Sequence, residues 1–183
     1  VGRNLSDQLA RACRMISSGY VRTMARYNSW QNDQLISLLL DMPADELTKD
    51  RGAFFGSILG TANHLLCGDT LWLSRLDPSM APPFAAPDQW PRLHDDARGW
   101  ATDRHRVDGK LHRWADKQRE IDLVGDVMCK PVTRGTAFSI SRAMAVVQMF
   151  THQTHHRGQI HAMLTAAGQT APISDIIHMP EIV

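Results

Sequence analysis

His152-Gln153-Thr154-His155-His156-Arg157-Gly158-Gln159 places three histidines within five residues of a segment that otherwise reads as helix. Ser141 to Thr151 before it and Ile160 to Ala167 after it hold no proline, and Gly158 is the single interruption from Ile140 to Ala167. Residues four apart on a helix differ by about 40° in direction and share a face, which pairs His152 with His156. With His152 at zero, Ala145 and Met163 fall at about 20°, His156 at about 40°, Met149 at about 60° and Ile160 at about 80°. The histidine pair therefore lies inside an apolar stripe. His155 falls at its edge, near 300°, and His161 on the far side, near 180°. A pair one turn apart is how a helix presents two imidazole nitrogens to one divalent metal. The competing reading is a pair of hydrogen-bonded core histidines. Two ligands do not make a site, so a metal needs a third from elsewhere in the chain.

The whole chain, residues 1–183, is expected to form one domain with its core between about 20 and 168; its length suffices to bury a substantial interior. Lys and Arg number 20 against 19 Asp and Glu, a net charge of +1, with no long run of one sign. That balance offers no electrostatic case for nucleic acid or an anionic membrane surface. Cys13, Cys67 and Cys129 are scattered, with no Cys-x-x-Cys pair, so neither a disulfide framework nor a zinc ribbon is indicated. No run reads as a membrane span or a signal peptide, and a cytoplasmic setting is expected.

Earlier in the chain, Leu5 to Ser17 reads as a first helical segment, with Ser6 or Asp7 as its cap. From Tyr20 the pattern sharpens: Tyr20, Met24, Tyr27, Gln31, Leu35, Leu38 and Met42 share a face, and Pro43 ends the helix. Gln31 on that face reads as a satisfied buried amide. A second long helix is expected from Ala53 to Leu76, with Phe54, Ile58, Leu65, Trp72 and Leu76 as its stripe. His64 lies at the flank of that stripe, and Gly68 one turn on leaves the adjacent surface open. Asp69 falls in mid-stripe, where a carboxylate needs a partner. It either pairs with an arginine or orients an imidazole. The proline-rich run Asp77 to Pro91 excludes helix, and its Phe84 and Trp90 suit a cap over one end of the core.

A third long helix is expected from Arg92 to Arg119. Leu93, Trp100, Val107 and Trp114 recur every seventh residue, with Ala97, Arg104 and Leu111 between them. His94, His105 and His112 fall off that seam and read as surface histidines. Ile121 to Ser139 is least like helix: Ile121 to Val124 and Pro131 to Phe138 lean toward strand, giving a short β-hairpin or an extended connection. The tail, with Pro172, Asp175, His178 and Pro180, is expected to fold back over the helices. The fold class is all-α, a four-helix bundle. A second apolar patch on the histidine helix, Ala143, Val147 and Phe150, is either covered within the chain or meets a second copy, a homodimer.

Three pieces of this sequence together resemble the DinB/YfiT-like family of metalloenzymes, four-helix bundles that often pair as dimers. They are Tyr27-Asn-Ser-Trp30-Gln-Asn32, Asn63-His64-Leu-Leu-Cys-Gly-Asp69-Thr-Leu-Trp72-Leu and His152-Gln-Thr-His155-His156-Arg157-Gly158-Gln159. They occur in the family's order and span most of the chain from Tyr20 to Gly168. The resemblance is not to the error-prone DNA polymerase that shares the label. It implies that His64, His152 and His156 hold one divalent metal ion, zinc or nickel, with positions left open to water or substrate. Gln159, at about 340°, turns toward the same side and is a candidate binding residue.

Relatives in the wider family include thiol-dependent S-transferases and an isomerase, so the resemblance also implies a small-molecule substrate and a low-molecular-weight thiol. A Lewis-acid metal lowers the pKa of a bound thiol or water, which suits thiol transfer and hydrolysis alike. Asp69 and His155 are the candidates by direction for a general base. Nothing near Cys67 in the sequence would activate it as a nucleophile. The alternative is a metal-binding or stress-response bundle without turnover.

Overall fold

Four capped helix starts define the frame. Ser17 Oγ accepts the Tyr20 amide, Ser57 Oγ the Gly60 amide, Asp96 the Gly99 amide and Ser141 Oγ the Met144 amide, each satisfying a donor that the first turn leaves orphaned. They open α1 (Ser18–Asp41), α3 (Ile58–Leu76), α4 (Ala97–Lys117) and α5 (Arg142–Ala166), with a short α2 (Ala44–Thr48) after Pro43. This computed structural model describes residues 15–83, 85–130 and 135–181. The expected first segment at Leu5 to Ser17 lies almost wholly outside the described residues, as do Cys13, Phe84 and Pro131 to Arg134.

The chain is an all-α bundle with one small hairpin, as expected. α1 packs on α4, α4 on α3 and α3 on α5, and of these neighbouring pairs around the bundle the fourth, α1 against α5, is the loosest. The heptad spacing of α4 is realised by Trp100, Val107 and Trp114, all buried, and Leu111 between them is fully enclosed. Opposite them lie Leu39, Leu66, Leu73, Met149, Phe150 and Ile160. Of the second patch on α5, Ala143 and Phe150 are buried within the chain, where Tyr20 meets Phe150 edge to face, and Val147 stays half-buried.

Several boundaries differ from the sequence reading. α3 begins at Ile58, not Ala53: Gly52 and Gly56 take left-handed φ of 68° and 75°, a conformation that glycine alone adopts freely, and turn the chain before the Ser57 cap. Phe54, expected in the stripe, is instead 86% exposed. α4 begins at Ala97 because Asp96 caps it, leaving Leu93 outside it, at the end of a preceding 3-10 turn, Pro87–Arg92, that also occupies the end of the proline-rich run. The hairpin is displaced as well. Its strands are β1 (Asp126–Cys129) and β2 (Phe138–Ser141), antiparallel with Asp126 opposite Ser141, whereas Glu120–Leu123 is a 3-10 turn.

α5 ends as expected at a left-handed Gly168 (φ 74°), with Gln169 N–H reaching Leu164 C=O and Gly168 N–H reaching Thr165 C=O, both at 3.0 Å. The tail then folds back across α1. Tyr27 Oη donates to Ser174 O and Gln31 Nε2 to Ile173 O, both at 2.6 Å, and Arg26 reaches Pro180 O at 3.1 Å. Gln31 is thus the satisfied amide its position called for.

Candidate metal centre

His64 comes from the second turn of α3, and His152 and His156 from consecutive turns of α5. Their approach depends on Gly68: a Cβ there would stand 2.8 Å from His152 Cε1, so only glycine lets that ring lie against α3. His64 Nε2 is 3.2 Å from His152 Nε2, which is 3.1 Å from His156 Nε2. One ligand atom from each residue lies within 4.8 Å of the others. Three nitrogens bound at about 2.0–2.1 Å to one ion, at angles of about 90–110°, stand about 2.9–3.4 Å apart. The two closest spacings fall in that interval, and the flank position of His64 does not keep it from the cluster.

The protonation chemistry also suits a cation. Gln159 Oε1 is 2.7 Å from His156 Nδ1, which holds the ring proton on Nδ1 and leaves the Nε2 lone pair facing the cluster. Burial, with His156 and His152 beside it, lowers the His64 pKa to about 3; burial, with His156 and His155, lowers that of His152 to about 4. Burial also lowers His156, opposed by the hydrogen bond that its Nδ1–H donates to Gln159 Oε1. All three are therefore neutral donors near pH 7. With each Nε2 unprotonated, three lone pairs converge at a spacing that one divalent cation bridges; without a cation, a proton on one Nε2 makes these contacts N–H···N hydrogen bonds. His152 Nδ1 is buried with no hydrogen-bond partner among the described residues, so its ring lacks the outer anchor that Gln159 gives His156.

Aromatic walls close two sides. Phe55 stacks on His64 with centroids 3.8 Å apart and stands 5.5 Å from His156, and Trp90 is 5.7 Å from His64. Asn63, the residue before His64, holds the Trp90 turn in place by donating to Pro91 O and His94 O at 3.2 and 2.8 Å. His155 is exposed, 4.8 Å from the His156 ring.

Asp69 takes the ion-pair alternative. It is 1% exposed; Oδ2 receives Arg104 Nη1 at 2.6 Å and Oδ1 receives Gln153 Nε2 at 2.8 Å. Arg104 also grips Asp108 through Nε and Nη2, at 3.1 and 2.8 Å, and Asn28 and Asn32 donate to the same carboxylate. The Asp69–Gln153 bond ties α3 to α5 beside His152, which fixes the two helices that carry the three clustered histidines. Of the histidines expected at the surface, His105 is exposed, whereas His94 and His112 are half-buried: His94 is 3.1 Å from Asp103 Oδ2, and His112 Nε2 joins α4 to α1 at 2.7 Å from Ser29 Oγ.

Phe55 escaped the sequence reading because its turn was taken into the helix. Gln153, Asn28, Asn32 and Asp108 escaped it too. Their signals were present: Asn28 and Asn32 are four apart on the buried face of α1, and Arg104 sits in the apolar seam opposite a buried aspartate.

The sequence model of the DinB family matches residues 15–182. The chain belongs to the DinB family. No curated protein matches it. Among solved structures, it resembles a DinB-like protein from Bacillus cereus ATCC 10987, with a TM-score of 0.57, 17% identity, and coverage of 79% of this chain and 91% of that one. At that identity the likeness shows the DinB fold and no more. No described helix is long and apolar enough to cross a membrane.

Proposed function

We propose that this DinB-family protein binds one divalent metal ion, zinc or nickel, through His64, His152 and His156. The observation that carries the reading is the convergence of three neutral imidazole Nε2 atoms from two helices, in a place where Gly68 makes room for one of the rings. Three histidine ligands leave coordination positions open, and a metal there would supply Lewis acidity to a small molecule or its thiol. The chain's own residues hold and shield that site. Gln159 sets the His156 tautomer, the Asp69–Gln153 bond fixes the helix register, and Phe55 and Trp90 keep bulk water from two sides. A metal-dependent enzyme of the thiol-transferase or hydrolase type is the activity this arrangement suits; the thiol itself comes from the family resemblance. His155, exposed beside His156, is the remaining candidate base. The cytoplasmic setting and the homodimer belong to the same proposal.

The alternative, a metal-binding bundle without turnover, draws on the state of Asp69, whose two oxygens are committed to Arg104 and Gln153. Zinc titration of metal-free protein, followed by assays with a thiol plus an electrophile and with an activated ester, tests both readings. The proposal expects one equivalent to saturate the chain, and loss of any ligand to weaken it by more than the roughly 10- to 100-fold typical of an outer-shell change. Turnover that requires the metal favours the enzyme. Stoichiometric binding with no turnover favours the binding protein, and binding unaffected by all three histidine substitutions contradicts both.

A further inference from the structure

The opposite face of α5 borders a cavity. Between α1 and α5, a volume of about 350 Å³ lies beneath the folded-back tail, lined by Tyr27, Leu35, Arg157, Gly158, His161 and Ser174 among others. Arg157 is buried, at 7% exposure, and spends only one of its terminal nitrogens: Nη1 donates to Asn28 Oδ1. Its guanidinium carbon lies 5.5 Å from the Tyr27 ring centroid, and its buried Nη2 has no hydrogen-bond partner among the described residues. Arg104 shows the contrast within the same interior, since its Nε and Nη2 grip Asp108 as a fork and its Nη1 takes Asp69. A buried guanidinium with an unused donor edge is costly unless an acceptor reaches it.

Gly158, one residue on, adds an independent sign. Glycine inside a helix costs about 1 kcal/mol relative to alanine, yet a Cβ at this position would meet nothing within 4 Å. No steric demand of the fold explains the glycine, and its missing side chain leaves the cavity wall open. The geometry points to a binding site for a small oxyanion, the carboxylate of a compact organic acid or a phosphate group, gripped by Arg157. Tyr27 and Leu35 face the ligand's apolar part, and His161 supplies a further polar group at the cavity. This site stands independently of the metal.

Benzoate and inorganic phosphate are the probes, titrated at low ionic strength into the metal-free and the zinc-treated full chain. One or both should saturate a single site per chain in the metal-free preparation, and that site should keep its affinity when zinc is present, apart from any anion taken up by the metal's open positions. Benzoate alone assigns an organic carboxylate and phosphate alone a phosphate group. Arg157→Lys keeps the charge but loses the fork, and should weaken binding about tenfold or more. Gly158→Leu, whose Cβ has free space, should fold, take up zinc as the parent does, and lose anion binding by occupying the cavity. It carries the test if Arg157→Lys does not fold. Saturable binding of neither anion, or binding that Gly158→Leu leaves intact, overturns the assignment.

Discussion

Gln159 holds His156 through a 2.7 Å bond to Nδ1, and in the proposed metal site that bond serves the ligand rather than general stability. Gln159→Leu removes the acceptor while keeping an aliphatic body, so zinc affinity is expected to fall about 10- to 100-fold. Thermal stability without metal should change little. A competition titration with a chelator reads the first effect and a melting curve the second; equal zinc affinity in parent and variant would remove Gln159 from the site. Cys67 provides a converse case. It lies on α3 one turn from His64, but burial pushes its thiol up to about 12, which leaves it protonated and unreactive near pH 8. Iodoacetamide at pH 8 should leave Cys67 unmodified in the native protein and alkylate it in urea, as peptide mass mapping would show. Rapid native alkylation would contradict the burial described for it.

At the scale of the elements, the decisive contact is α3 against α5, and Gly68 governs it. Gly68→Ala should strengthen the isolated helix by about 1 kcal/mol while driving a methyl into His152. The expected outcome is a folded protein with markedly weaker zinc binding, read by circular dichroism and titration together. Unchanged affinity would mean that His152 is not held against α3 as described. The elements were largely legible from sequence because periodicity and caps are local: α1, α4 and α5 follow from their apolar spacing, Pro43 and Gly168. What was not legible depended on backbone conformation or distant packing. The start of α3 shifted because Gly52 and Gly56 adopt left-handed turns that no stripe pattern encodes, and this concealed Phe55 as the partner of His64. The strands moved because β-leaning composition does not fix register. The fate of Asp69 was open because its two partners, Arg104 and Gln153, lie on other helices.

For the molecule as a whole, the same burial that keeps the histidines neutral makes the metal-free fold sensitive to acid. His64 and His152 titrate near 3 and 4 in the fold, against about 6.5 in an unfolded chain. Below pH 6.5 the unfolded chain takes up protons that the folded one refuses, so stability is held above pH 6.5 and lost progressively as pH falls toward 4. Urea midpoints measured between pH 7.5 and 4 should decline over that window in the parent and less steeply in His64→Phe. Parallel curves would show that the histidines are not buried as neutral groups. The family was readable from three short motifs, and so were the three histidines that cluster, whereas the Arg104 network that ties the two histidine-bearing helices together emerged only from the fold. The most direct test of the central claim is elemental analysis of the untagged protein beside a His152→Ala, His156→Ala double variant. About one zinc or nickel per chain is expected in the parent and none in the variant. A parent that holds no metal, and takes up neither zinc nor nickel when titrated, would contradict it.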